Sequence, residues 1–386
     1  MNKVKVSILF LLLCCSGVAS AQTADERLSA LEDKLQSMTD KQKYAPQIHG
    51  ILRGKYEYQP DLDASRFEVR NARISVESPQ PASTTGEAKL LSAYKLEIDL
   101  CDESQIKMKD AWVRLALPLR KEKGGFLRAT IGQQRMPFSI DAHRNPSAQY
   151  FANRSFIAKQ VGDMRDVGFM LGYDILNEDN RKLLSIDAGI FNGSNLDNQK
   201  TAWFSSSGYS ARIQYYPVKG LAIVPSIQHQ QIADRKASYT SMDFGAYYEK
   251  SGFHFEAEYL RKFYAHDAFD DCNAIDAMAI YKMPMKNGYF NGISYLLRYD
   301  YMDNHSDGKK GFKEDDLTSS QEVTRKELLQ SDAERHRLTA GVTFHVSNRF
   351  FPTDIRLNYE KYWYPHNGTP KESEQDKLVC ELAIKF

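Results

Sequence analysis

From Gln47 to Phe386 the chain alternates between apolar and polar positions. In Ile48-His49-Gly50-Ile51-Leu52-Arg53-Gly54-Lys55-Tyr56-Glu57-Tyr58 the even positions are apolar or small and the odd ones mostly polar. The pattern returns in Tyr94, Leu96, Ile98 and Leu100 against Lys95, Glu97 and Asp99, and in Phe253, Phe255, Ala257 and Tyr259 against His254, Glu256 and Glu258. It closes the chain in Leu378, Cys380, Leu382, Ile384 and Phe386. Residues two apart share one face of a strand, so each segment has one apolar and one wet side. About sixteen such segments are predicted, each about 9–13 residues and long enough to cross a bilayer when tilted. Phe67 and Val69 are out of phase with Ala72, Ile74 and Val76, which predicts a β-bulge near Arg70.

The connections decide between a sandwich and a barrel. Tight turns are expected at Val218-Lys219-Gly220, Lys250-Ser251-Gly252, Lys286-Asn287-Gly288 and Ser347-Asn348. Between them fall long connections: Arg135 to Arg165, Gly193 to Ser207, Tyr264 to Asn273, Asp303 to Glu334 and Pro365 to Asp376. A sandwich has no reason to keep short and long connections on alternate strands, whereas an outer-membrane barrel does. The fold class is therefore all-β, a transmembrane antiparallel β-barrel over residues 46–386.

Two segments precede it. Lys3 and Lys5, an apolar run from Val6 to Leu13, and Ala19-Ser20-Ala21 before Gln22 read as a signal peptide over residues 1–21. Cys14 and Cys15 raise a lipoprotein alternative, but Leu13 and Cys14 stand where a small residue would be wanted. Residues 22–45 carry Leu28, Leu31, Leu35 and Met38 at spacings of three and four, the seam of a short coiled coil, before Pro46 ends it. This stub reads as a trimerisation or tethering element or as a loosely helical leader.

Composition narrows the class. Mean hydropathy is −0.53, too low for a bundle of apolar helices, while 12% aromatic residues exclude a disordered chain. The 51 basic and 50 acidic residues become 49 and 50 once Lys3 and Lys5 leave with the signal peptide, so no global charge calls for nucleic acid. Cys101, Cys272 and Cys380 remain, an odd and widely spaced set without metal-ligand spacing.

Several segments resemble the phosphate-selective porin O and P family of Gram-negative outer membranes: Phe67-Glu68-Val69-Arg70-Asn71-Ala72-Arg73, Lys109-Asp110-Ala111-Trp112-Val113, Ile131-Gly132-Gln133-Gln134-Arg135-Met136-Pro137-Phe138-Ser139, Asn153-Arg154-Ser155, Arg165-Asp166-Val167-Gly168 and Phe191-Asn192-Gly193. The terminal Phe386 is similar to the aromatic residue that ends many such barrels. The resemblance implies a sixteen-stranded, usually trimeric porin in the outer membrane, in contact with its lipid, with one loop folded into the pore. It does not make phosphate the solute of this member.

The chemistry of passage follows from charge. Arg135, Arg144, Arg154, Lys159 and Arg165 outnumber Asp141, Asp163 and Asp166 in the long connection, five against three, and Phe138, Tyr150, Phe151, Phe156 and Ile157 would let it pack inside the barrel. Guanidinium groups match phosphate or carboxylate oxygens, and a narrow channel focuses their field, so these five residues are the candidate anion constriction. The alternative is that they pair with the acidic residues and fasten the loop. On the wall, Arg53, Lys55, Lys95, Arg114, Arg212, Arg298 and Arg356 face the lumen, together with Glu57, Glu97, Asp99, Asp110, Glu256, Glu258 and Glu360.

The remaining motifs are weak. Asp303, Asp307, Gly308 and Glu314 match part of a calcium loop, but His305 replaces an oxygen ligand. Ser139, Asp141 and His143 lie close in sequence, but proximity along a chain is not a triad. The expectation is a passive channel for small solutes, phosphate-like anions first, with no cofactor. The alternatives are a weakly selective general-diffusion porin and an outer-membrane barrel with an enzymatic or adhesive role.

Overall fold

The computed structural model describes residues 45–386, apart from 80–89, 103–104, 120–124, 163, 178–180, 194–207, 231–237, 266–270, 286–287, 306–332, 348–349 and 366–372. The expected signal peptide and coiled coil lie outside the described residues, as does the calcium-like segment beyond His305. Sixteen antiparallel strands close on themselves: β1 (Gln47–Gln59), β2 (Ala64–Glu77), β3 (Leu91–Asp102), β4 (Gln105–Pro118), β5 (Gly125–Arg135), β6 (Arg165–Leu176), β7 (Lys182–Phe191), β8 (Gly208–Tyr215), β9 (Leu221–Gln230), β10 (Tyr239–Lys250), β11 (Phe253–Tyr264), β12 (Cys272–Pro284), β13 (Phe290–Met302), β14 (Arg335–Val346), β15 (Thr353–Trp363) and β16 (Lys377–Lys385). Each strand pairs with its neighbours in sequence and β1 closes on β16, with Arg53 opposite Ala383. The seam ends where the Phe386 amide donates to the Gly50 carbonyl at 3.0 Å.

Closure leaves no sheet edge, and the two faces of each strand meet different surroundings. Leu96, Val113, Leu115, Ile131, Leu171 and Leu297 point outward and are exposed. Aromatic side chains sit near both ends of this apolar belt, among them Phe253, Tyr281 and Phe351 at one rim and Tyr259, Tyr359 and Trp363 at the other. An exposed apolar surface of this extent suits a hydrocarbon layer rather than water. The bulge expected near Arg70 is present: Arg53 pairs with Asn71 and Gly54 with Val69, leaving Arg70 as the extra residue.

The parity of the connections holds only from β5 onward. At the long-loop rim, β1 to β2 and β3 to β4 turn tightly, between Gln59 and Ala64 and between Asp102 and Gln105. At the opposite rim, β2 to β3 spans from Glu77 to Leu91. Gly132 adopts a φ of +127° on β5, where a Cβ would stand 2.8 Å from Trp112 Cα, so only glycine lets β4 and β5 meet there.

Candidate functional site

The connection from β5 to β6 folds inward and binds the lumen wall. Ser139 has a φ of +60°, and this left-handed residue turns the next two amides toward one point. There the Glu258 carboxylate accepts from Ser139 Oγ at 2.9 Å, from the Ile140 amide and from the Asp141 amide at 3.1 Å. Gly245 on the adjoining strand makes room, because a Cβ there would stand 2.7 Å from Ile140 Cδ1. Further along, Asp141 accepts from the Ser155 hydroxyl at 2.7 Å and amide at 3.1 Å, closing the loop on itself. The Asn358 side chain accepts from the Ala152 amide at 3.0 Å, and Arg53 donates to the Ala152 carbonyl at 2.6 Å. Asp300 accepts from the Phe156 amide at 3.2 Å.

Apolar contacts add most of the adhesion. Phe138, Phe156, Ile157 and Val161 pack on Leu260, Cys272, Ala274 and Met302 of the wall. Phe151 packs on Met278, Ile280 and Leu296, and Ile140 on Ala222 and Val224. Each buried side chain of this size contributes about 1.5–3 kcal/mol. The loop is thus fastened across β8–β15 and on to β1. Its tip separates a cavity of ≈ 290 Å³, reaching Arg73, Lys95 and Glu97, from one of ≈ 470 Å³ that reaches His254, His345 and Arg356.

The five basic loop residues do not converge. Arg144 pairs with Asp141 at 2.6 Å and with Glu256, and its guanidinium lies 5.0 Å from the Tyr150 ring. Arg135 donates to the carbonyls of His143 at 2.7 Å and Arg144 at 3.1 Å. The Arg154 carbonyl accepts from Arg337 at 2.6 Å and Arg298 at 3.3 Å. Lys159 pairs with Glu374 at 2.7 Å, and Arg165, now the first residue of β6, with Asp110 at 2.9 Å. Burial alone would raise the Asp141 carboxyl, but Arg144 and Arg298, with the Ser155 hydroxyl, hold it down to about 2.

All the predicted wall cations face inward. Arg53 bonds Glu381 at 2.6 Å and Lys55 bonds Glu57 at 2.8 Å. Arg298 pairs with Asp300 at 3.0 Å, and Arg356 with Glu381 at 2.6 Å. Two are different. Arg114 donates to Thr130 Oγ1 at 2.8 Å and lies 4.3 Å from the Trp112 ring, and among the described residues neither it nor Arg212 forms an ion pair. Near them Arg128 bridges Asp174 at 3.3 Å and Asp187 at 2.9 Å.

Sequence reasoning missed the apolar lumen residues Leu260, Ala274, Met278, Ile280, Leu296 and Met302. Their signal is present where alternation fails and both faces are apolar, as in Met278-Ala279-Ile280 and Leu296-Leu297. It placed Arg337 and Glu381 on the polar faces of their strands, as found, and missed Arg128, Asp276 and Asp300, each of which occupies an inward position. Ser139, Asp141 and His143 do not form a relay: the Ser139 hydroxyl donates to Glu258 and Asp141 serves Ser155 and Arg144.

Comparison with known proteins agrees at the level of fold. No protein-family model matches the sequence, and no curated protein does. OmpF of Salmonella typhi, solved in complex with daunomycin, superposes with a TM-score of 0.60 at 13% identity over 90% of this chain and 99% of that one. The fold is the one such outer-membrane proteins share. OmpT of Vibrio cholerae in its trimer form gives 0.58 at 11% identity, over 89% of this chain and 99% of that chain. The outer-membrane channel DcaP of Acinetobacter baumannii gives 0.56 at 12%, over 88% and 97%.

Proposed function

We propose that this protein is a passive outer-membrane channel for small hydrophilic solutes, with a weak preference for anions such as phosphate. The observation that carries this reading is a closed barrel with an apolar outer belt and a charged lumen, narrowed by an inward loop. Such a barrel keeps an aqueous path, and its selectivity rests on the charges that remain along it. The Gram-negative outer membrane is its location, and three copies its assembly, in keeping with the similar Vibrio cholerae outer-membrane protein OmpT in its trimer form.

The anion preference moves from the loop to the wall. Arg144, Lys159 and Arg165 are each held by a carboxylate, so the five loop cations serve first to fasten the loop. Arg114, Arg128 and Lys182 line β4–β7 beside Asp174 and Asp187, three charges against two. A solute passing between the loop and this side of the barrel meets net positive potential.

The test is the zero-current potential of the purified protein in a planar bilayer under a salt gradient, repeated with chloride exchanged for phosphate. An anion-selective potential that falls toward zero in an Arg114→Ala variant is expected. Cation selectivity would overturn the anion preference and keep the channel. A protein that inserts and conducts nothing would overturn the channel itself.

A further inference from the structure

Behind the lumen loop, three carboxylates meet without enough positive charge. One oxygen each of Glu256, Glu258 and Asp276 lies within 4.8 Å of the other two, and all three side chains are buried. Acidic residues often cluster without consequence; here the partners are countable. Asp276 is only 1% exposed, and neither of its carboxylate oxygens has a hydrogen-bond donor. Among the described residues its one ion-pair contact is Arg298 Nε at 3.9 Å, and Arg298 is closer to Asp300, at 3.0 Å. On Glu256, Oε2 takes Arg144 and His254, while Oε1 has no donor. Glu258 is capped by the loop amides and the Ser139 hydroxyl, which leaves a lone pair on Oε2.

Asp243, on β10, adds a fourth buried carboxylate, which feels the charge of Glu258, and its Oδ1 has no donor. Arg144 and Arg212 are the cations that act on this group once Arg298 is committed to Asp300. Fully ionised, the four carboxylates would exceed these two cations by two charges. A buried carboxylate with no donor is costly, and the cost falls when a cation sits among the oxygens.

We propose that Glu256, Glu258 and Asp276 bind one divalent cation of the calcium type, which fastens the lumen loop to β11 and β12. The ligands are hard oxygens from flexible carboxylates, and Asp276 can offer both of its own. That set suits an ion accepting roughly six to eight oxygens, with water completing the shell, better than one demanding a strict octahedron. The ion couples loop to wall because Glu258 holds Ser139, Ile140 and Asp141 while Glu256 holds Arg144.

The site is tested by terbium(III) luminescence, competed with calcium, on the full mature protein in detergent. One calcium-displaceable ion per chain is expected, weakened at least tenfold by Asp276→Asn and unchanged by Asp303→Asn at the outer rim. No stoichiometric binding, or equal binding by the Asp276→Asn protein, would overturn the proposal. Crystals of the unaltered protein grown with manganese(II) test it without any variant. Anomalous density among the three carboxylates is expected, and density confined to the outer loops would refute the site.

Discussion

The lumen has two unlike walls. Along β11–β15 the inward positions mix Leu260, Ala274, Met278 and Met302 with Arg298, Asp300, Arg337 and Glu360, and the loop lies over them. Along β2–β7 the inward positions are mostly polar, with Ala116, Met170 and Phe191 among them, and their charges pair mainly with each other, as Arg73 does with Asp99 at 2.7 Å and Lys95 with Glu97 at 2.8 Å. One wall is a docking surface and the other a passage surface. Positive charge fastens a loop on the first, while on the second Arg114 keeps no ion pair among the described residues and is available to solute, so a count of arginines says little until each one's partner is known.

Variants can break this contrast, and the largest effect is expected on the covered wall. Phe156→Ala removes a buried ring that also faces the guanidinium groups of Arg335 and Arg337, and should cost about 3–5 kcal/mol. A lowered melting temperature and a larger, noisier single-channel conductance are the readouts; an unchanged conductance would mean that the loop does not narrow the path. Asp300→Asn weakens the bonds from Arg298, Arg337 and the Phe156 amide, with an expected cost of about 1.5–3 kcal/mol and the same change in conductance.

On the bare wall the order reverses. Arg114→Ala should cost about 1 kcal/mol in stability, the worth of its bond to Thr130, yet shift the zero-current potential, whereas neutralising Lys159 should leave that potential nearly unchanged. If Lys159 moved it and Arg114 did not, passage and docking would have been assigned to the wrong walls. The smallest effect concerns pH. Asp141 titrates at about 2 in the folded protein and near 3.9 when unfolded, so its contribution is complete above about pH 4 and is lost as pH falls toward 2. Loop fluctuations, read as open-channel noise, should rise as pH falls from about 4 toward 2. Asp141→Asn should remove that dependence.

Much of the barrel is legible in the sequence because a strand's two faces obey a local rule. Alternation at Ile48–Tyr58 or Phe253–Tyr259 states which side chains meet lipid and which meet the lumen, and the phase slip between Val69 and Ala72 locates the bulge at Arg70. The presence of an inward loop is legible too, since Phe138, Phe151 and Phe156 need a surface to cover. Its path is not, because Leu260 and Met302 lie far from the loop along the chain and meet it only through barrel closure.

The sequence by itself determined the strand pattern, the facing of nearly every charge and the apolar character of the loop, for these depend on neighbours two residues apart. Only the tertiary structure decided which charges are spent on one another. Glu258 finds Ser139, Arg337 finds the Arg154 carbonyl, and Glu256, Glu258 and Asp276 converge because shear and closure set the distance between strands. The interaction of two charges depends on that distance and on burial, and neither is written in the order of residues.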